Sequence, residues 1–550
     1  MAEWQEKFLI NETPLWSYYQ EALENQIRSG LRDKIPTCID FYEGRQWPEA
    51  TESTKNLPRP VVNIIKMVCR QKKGAILSSP VKVSYKSFSP NADMENFNAF
   101  AERTFKELNQ AELDRLAIED AIKKGSYFYH YYWDSESIST DTGEVGGLRC
   151  ELINPLNIFF SNPAELDEQK QDWILISSRM EISKIKALAD KGKNLSNLVA
   201  DNAESCSIAQ KSRDKATLLT RYFKKDGEVW CERGTKHCII NDPFKIIPES
   251  ISPNHQLPPE DALAHDFFPQ RTLYPIVCGY YEKKEGSIYG IGEVEGLIPN
   301  QKAINFNIAM SLLNAQQCAW GKYIALPNAL NGQRISNVPG QVLIDYSGTG
   351  DGIKRLSQTE LSKVPMDLTT TLAELTRSVN GVSSIITGDT ASSLSGTAIA
   401  YLQSQAEVPI EDLRNAFIFV KRKQGLVVAQ FLKHFYYKHL YIKESMSAHG
   451  DTVELFEEFS SLPYQNAYID VCVEAYVGKK ASIASDISLL NNCLEKGAIS
   501  LETYIKAYPD SAITNKGEIL KYISKEKESE LEKLRAEVVS YKKLLSEKNF

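Results

Sequence analysis

Between Gly286 and Gly340 the hydrophobic pattern changes period twice. Apolar residues recur at Leu297, Ile304, Ile308 and Leu312, the spacing of one helix face, and Pro299 suits a first helical turn. Gly286, Gly290, Gly292 and Gly296 keep the lead-in irregular. After Trp320 the spacing predicts a short strand, Tyr323 to Leu326, then turn residues Pro327, Asn328, Asn331 and Gly332, and a returning strand over Gln341 to Tyr346. A second helix, Pro365 to Asn380, carries Leu368, Leu372, Leu375 and Val379 on one face and ends at Gly381. Helix, small β arm, helix is the organising unit of the chain.

Upstream, the pattern predicts helices over Pro14 to Lys34, Arg59 to Leu77, Asp93 to Gln110 and Ala111 to Lys124, the last closed by Gly125 as a C-cap. Strands are predicted around Val81, Val83 and Tyr85, and over Tyr127 to Trp133, Leu148 to Ile153, Trp173 to Ser177, Leu218 to Phe223 and Glu228 to Glu232, with a hairpin at Asp226-Gly227. The fold class is α+β with antiparallel pairing. Prolines crowd Asn241 to Tyr274 and mark a boundary or connector. Downstream lie a small-residue loop, Val382 to Ser395, and a long helix, Gly396 to His439, with a kink or restart at Pro409. A helix over Ser482 to Lys496 stops at Gly497. From Glu518 a charged helix carries Leu531, Leu534, Val538, Tyr541 and Leu545 in heptad phase.

At 550 residues the chain has length for two to four domains, and its 42% apolar and 25% charged composition is that of a globular protein. No apolar run approaches the roughly 20 residues that cross a bilayer, and the acidic N-terminus lacks a signal architecture, so a cytoplasm-like setting is expected. A net charge of −7 argues against wrapping nucleic acid with a basic surface, though not against letting it pass. The basic set Arg59, Lys66, Arg70, Lys72 and Lys73 reads either as a solvated helix face or as a contact with phosphate or an acidic neighbour.

Candidate chemistry is sparse. None of the ten cysteines forms a CxxC pair, and Cys231, His237 and Cys238 lack a second ligand pair. Gly290-Ile-Gly-Glu-Val-Glu-Gly296 misplaces the third glycine of a dinucleotide loop. Asp345, Asp351 and Asp389 are the carboxylates a metal-dependent nucleic-acid enzyme would need to bring together, yet each sits in a turn, where Asp occurs for its own reasons. Neither cofactor nor catalytic residue is expected. A structural role is favoured over such an enzyme.

Several motifs point to one family. Phe41-Tyr-Glu-Gly-Arg-Gln-Trp47, Arg59-Pro-Val-Val-Asn-Ile-Ile65, Asn154-Pro-Leu-Asn-Ile-Phe159 with Asn162-Pro163, Tyr289 to Asn305, Gly388-Asp389 and Ser395-Gly-Thr-Ala-Ile399 together resemble the portal proteins of tailed double-stranded DNA bacteriophages, with Asn162 where Asp is frequent. The resemblance implies a homo-oligomeric ring, usually of twelve subunits, at one capsid vertex, with no enzymatic activity of its own. It implies a wing (1–274), a connector and first stem helix (275–318), a clip (319–363), a second stem helix (364–381), a tunnel loop (382–395), a long kinked helix with further wing (396–479) and a crown (480–550). The implied partners are the major capsid and scaffolding proteins, the terminase large subunit, head-completion and tail proteins, and DNA passing without sequence specificity. The corresponding site residues are Ser383, Ser384, Thr387, Asp389, Ser392 and Ser393 in the tunnel loop; Asn328, Asn331, Gln333, Arg334 and Asn337 in the clip; and Gln301, Asn305, Leu312, Leu368 and Leu372 at stem subunit contacts.

Overall fold

The computed structural model describes residues 12–78, 81–87, 93–138, 143, 145–201, 214–247, 272–319, 323–336, 342, 344–348, 351–355, 364–379, 396–446, 452–465, 467–475, 480–508, 519 and 538. The first predicted helix is two: α1 (Pro14–Arg28) and α2 (Leu31–Glu43), broken where Gly30 takes a left-handed φ of 71°. The next, α3 (Ile64–Ile76), starts later than its apolar spacing suggested. Pro58 and Pro60 favour an extended lead-in, and the Asn63 side chain caps the helix by accepting from Lys66 N at 2.9 Å. Helices α4 (Met94–Glu107) and α5 (Gln110–Lys124) follow, and Gly125 closes α5 with a left-handed φ of 85°.

All strand pairing among the described residues is antiparallel. The aromatic strand β2 (Ser126–Ile138) is central to a three-stranded sheet, between β3 (Val145–Ile153) and a late strand, β9 (Ile276–Tyr280). Its rings at Tyr127, Phe128, Tyr129 and Tyr131 are buried, which makes it a core strand and not a stacking platform. A five-stranded meander consists of β4 (Ile158–Phe160), β5 (Trp173–Glu181), β6 (Lys215–Lys225), β7 (Glu228–Gly234) and β8 (Ile239–Lys245), with α6 (Ile182–Leu188) after β5. Asp226 and Gly227, at φ 54° and 80°, make the predicted hairpin turn. A short pair, β10 (Glu282–Lys284) and β11 (Ser287–Ile291), then delivers α7 (Glu293–Ala319). This helix begins a turn and a half before Pro299, which therefore lies inside it.

The β arm holds one small ladder, β12 (Tyr323–Ala325) with β13 (Ile353–Arg355). The returning strand is thus 353–355, not Gln341 to Tyr346; described residues 342 and 344–346 belong to no strand. Helix α8 (Val364–Val379) returns against α7, and α9 (Gly396–Phe435) runs through Pro409 without a restart. Strands β14 (His439–Met446), β15 (Thr452–Phe459) and β16 (Ile469–Ala475), then α10 (Lys480–Glu495) and α11 (Leu501–Ala507), complete the described elements. The small-residue loop 382–395 and, apart from Ile519 and Val538, the predicted charged helix from Glu518 lie outside the described residues.

One core joins the two ends of the chain. β16 pairs along the whole of β1 (Val81–Ser87). Phe100 of α4 stacks on Phe459 of β15 with centroids 4.0 Å apart, and Phe459 in turn stacks on Tyr464. Each such ring fully buried contributes about 1.5–3 kcal/mol. Helix α9 crosses this core and is tied down by polar links. Arg414 donates to Ala75 O at the end of α3, Lys421 pairs with Asp114 of α5, Lys423 pairs with Glu168 at 2.7 Å, and the Gln430 amide exchanges two hydrogen bonds with the Leu273 backbone.

Candidate assembly and docking surfaces

The motifs that lie far apart in sequence converge at the root of α7. Gln301 accepts from Ile64 N at 3.0 Å and Ile65 N at 3.4 Å, satisfying first-turn donors of α3, while its amide nitrogen donates to Val62 O at 2.8 Å. The same nitrogen lies 2.9 Å from Asn305 Oδ1, and Asn305 donates to Gln46, whose own amide reaches Phe41 O. Tyr289 donates to Ile158 O at 2.7 Å, and Ile288 N to Pro163 O. Residues 41–47, 59–65, 154–163 and 289–305 therefore form one junction. The glycines of the lead-in belong to it too: a Cβ on Gly290 would lie 2.6 Å from Glu282 O and Gly125 O, and one on Gly125 only 2.3 Å from Gly290 O.

Charge at this junction is neutralised internally. Lys72 bonds Glu293 at 2.8 Å in a buried pair that Tyr281 completes by donating to the second carboxylate oxygen. Burial alone would raise the Glu119 carboxyl, yet hydrogen bonds from Lys73 and Lys123 hold it at about 2. Lys66 lies over the Tyr42 ring and Arg59 donates to Pro48 O. Of the two readings of the basic set, the structure supplies acidic neighbours for Lys72 and Lys73.

Gln301 and Asn305, expected at subunit contacts, are therefore buried and spent within the chain. Asn300 likewise joins α7 to α8, donating to Thr376 Oγ1 at 3.2 Å. Leu372 is half-buried against the same core, while Leu312 and Leu368 are exposed. Beside exposed polar residues such as Lys302 and Glu374, the hairpin leaves apolar side chains open. On α7, Phe306 and Met310 are 58% and 47% exposed; on α8, Val364, Leu368, Leu375 and Val379 are exposed, Val379 at 83%. Residues 306 and 310 lie one turn apart, and 364, 368, 375 and 379 follow one face of α8. Phe306 and Met310 went unnoticed in the sequence because they lie on the helix face opposite the buried stripe of Leu297, Ile304 and Ile308.

In the arm, Ala329 is fully buried and its carbonyl accepts from Tyr346 N at 3.1 Å. Asn331, at φ 38°, and Gly332 make the predicted turn. Asn328, Asn331, Gln333 and Arg334 are in or beside it, and Asn337 lies outside the described residues. Gln333 is engaged with the Ile344 backbone, accepting from its N–H at 3.2 Å. The Asp345 carboxylate accepts from Ser347 N and Gly352 N, each at 2.8 Å, and hydrogen bonds from Ser347 and Gly352 hold its pKa below the ordinary range. Asp351 pairs with Lys354 at 3.1 Å. Asp389 and the other tunnel-loop positions, Ser383, Ser384, Thr387, Ser392 and Ser393, lie outside the described residues.

Among curated proteins no match is found. Residues 263–443, which contain α7, the β arm, α8 and α9, match the family described as phage P22-like portal protein. Proteins of this family are structural, not enzymatic. The helix, β arm and helix that organise the sequence are thus the matched segment, and over it the chain is similar to the phage P22-like portal proteins.

Proposed function

We propose that copies of this chain close into a ring, about twelve by analogy with the family, around a channel through which double-stranded DNA enters and leaves the capsid. In this reading α7 and α8 are the stem, residues 319–363 the clip, residues 382–395 the tunnel loop, and 480–550 the crown. The core shared by residues 38–304 and 410–471 forms the wing. The clip, through Asn328, Asn331 and Arg334, docks the packaging terminase and later the head-completion proteins.

The observation that carries the ring is the pair of exposed apolar stripes on α7 and α8. A closed ring needs two different complementary surfaces on each subunit. Phe306 and Met310 on one helix and Leu368 and Leu375 on the other meet that need, because a stripe left in water forgoes about 1.5–3 kcal/mol for each side chain it could bury. Leu368→Lys combined with Leu375→Lys tests it by mass photometry. The expected result is loss of rings in favour of monomers, with the circular dichroism spectrum unchanged. Rings persisting at the same protein concentration would refute this role for α8.

A further inference from the structure

Two rows of exposed side chains on the helical hairpin are matched in height. Lys302, Phe306 and Met310 succeed one another at one-turn spacing on α7, as Met366, Thr370 and Glu374 do on α8, and all six are exposed. The β12–β13 ladder joins the far ends of the two helices, so α8 runs back along α7, and the 3.2 Å hydrogen bond from Asn300 to Thr376 fixes their relative height. Each helix rises about 1.5 Å per residue, so counting from that link puts Lys302 level with Glu374 and Met310 level with Met366. Two residues along a helix is slightly more than half a turn. Lys302 therefore lies on the side of α7 opposite Asn300, and Glu374 on the side of α8 opposite Thr376, so each charge faces away from its own partner helix. Lys302 lies over the Phe41 ring at 5.5 Å, and neither it nor Glu374 has an ion pair among the described residues. The lysines nearby at the junction differ: Lys34 pairs with Glu295 and Lys72 with Glu293.

We infer that Lys302 of one copy pairs with Glu374 of the next, so that α7 of each subunit lays its Lys302–Phe306–Met310 row against α8 of its neighbour. The occupant is a second copy because the two rows complement each other, a cation above apolar side chains on α7 and an anion above Met366 on α8, and because they face outward on opposite flanks of one hairpin. Such a pair of unlike surfaces is what a heterologous contact joins. Rotation about a ring axis leaves height along that axis unchanged, so groups level within a hairpin that runs along the axis remain level between neighbours. The apolar contacts supply burial, and the ion pair repeated at every contact sets the register and rejects the wrong one. The inference rests on the ring reading, to which it adds the order of the helices around the ring and the pair that aligns them.

The test exchanges the charges in purified full-length protein and measures the fraction in rings by mass photometry, with electron microscopy of the same samples. Lys302→Glu and Glu374→Lys each set like charges against one another at every contact, and each should lower the ring fraction severalfold at limiting concentration with the circular dichroism spectrum unchanged. An equimolar mixture of the two single variants should regain rings, because every contact between unlike copies is again oppositely charged. The double variant, Lys302→Glu with Glu374→Lys, should regain them too. Mixing cannot restore a pair made within one chain. A mixture that stays without rings, or single variants that form rings as well as the unmodified protein, would therefore overturn the pairing while leaving the ring reading intact. Absence of rings from the unmodified protein would overturn the ring reading and this inference with it.

Discussion

Gly125, Gly290 and Gly292 mark where the C-terminal end of α5 meets the strand leading to α7, and they show what a glycine-rich motif does without a ligand. The spacing of 290, 292 and 296 already failed as a dinucleotide loop. Its positive reason was hidden in sequence, because the backbone that excludes a side chain at 290 belongs to residues 125 and 282. Gly290→Ala forces a Cβ against two carbonyl oxygens at 2.6 Å, neither of which is a flexible side-chain end. The expected cost is about 1–3 kcal/mol, measured by chemical denaturation, and Gly296→Ala, whose Cβ meets open space, should cost far less. The amides Gln301 and Asn305 teach the same lesson. Their residue types suggested hydrogen bonding, but the partner of Gln301 on α3 is 237 residues away, and only the fold shows that it lies within the chain.

At the scale of elements, periodicity located most of the helices and strands and missed where their boundaries were set by single residues. Gly30 split the first helix, Pro58 and Pro60 delayed α3, and α7 began ahead of Pro299, which lies in its second turn and not at its start. The strand signal at 341–346 has no ladder at the described residues 342 and 344–346, since pattern identifies a pleated face and not who pairs with it. Helix α9 depends on links that no pattern reveals. Lys421 and Asp114 are both buried, and burial pulls the Lys421 amine below its ordinary pKa. Asp114 also accepts from Tyr129 at 2.8 Å and from Gln110 at 3.0 Å. Asp114→Ala strands a buried ammonium and should destabilise the protein by about 3–5 kcal/mol, whereas Asp114→Ala with Lys421→Met should recover most of that loss in the same denaturation assay. Equal losses in the single and double variants would show that the pair does not hold α9 in place.

For the whole molecule, the distant pairing of β1 with β16 and the seat of α9 join both ends of the chain around one core, and the α7–α8 hairpin extends from it with apolar stripes uncovered. The resemblance was legible in sequence because four of its short motifs meet at one junction. The exposed stripes were legible only in part: Leu368 was singled out from the pattern, whereas exposure of Phe306 or Met310 is a property of the folded chain. Whether these stripes close a ring is measured directly by electron microscopy of the purified protein at several concentrations: closed rings with a central opening wide enough for duplex DNA are expected, and compact monomers under every condition would contradict ring closure.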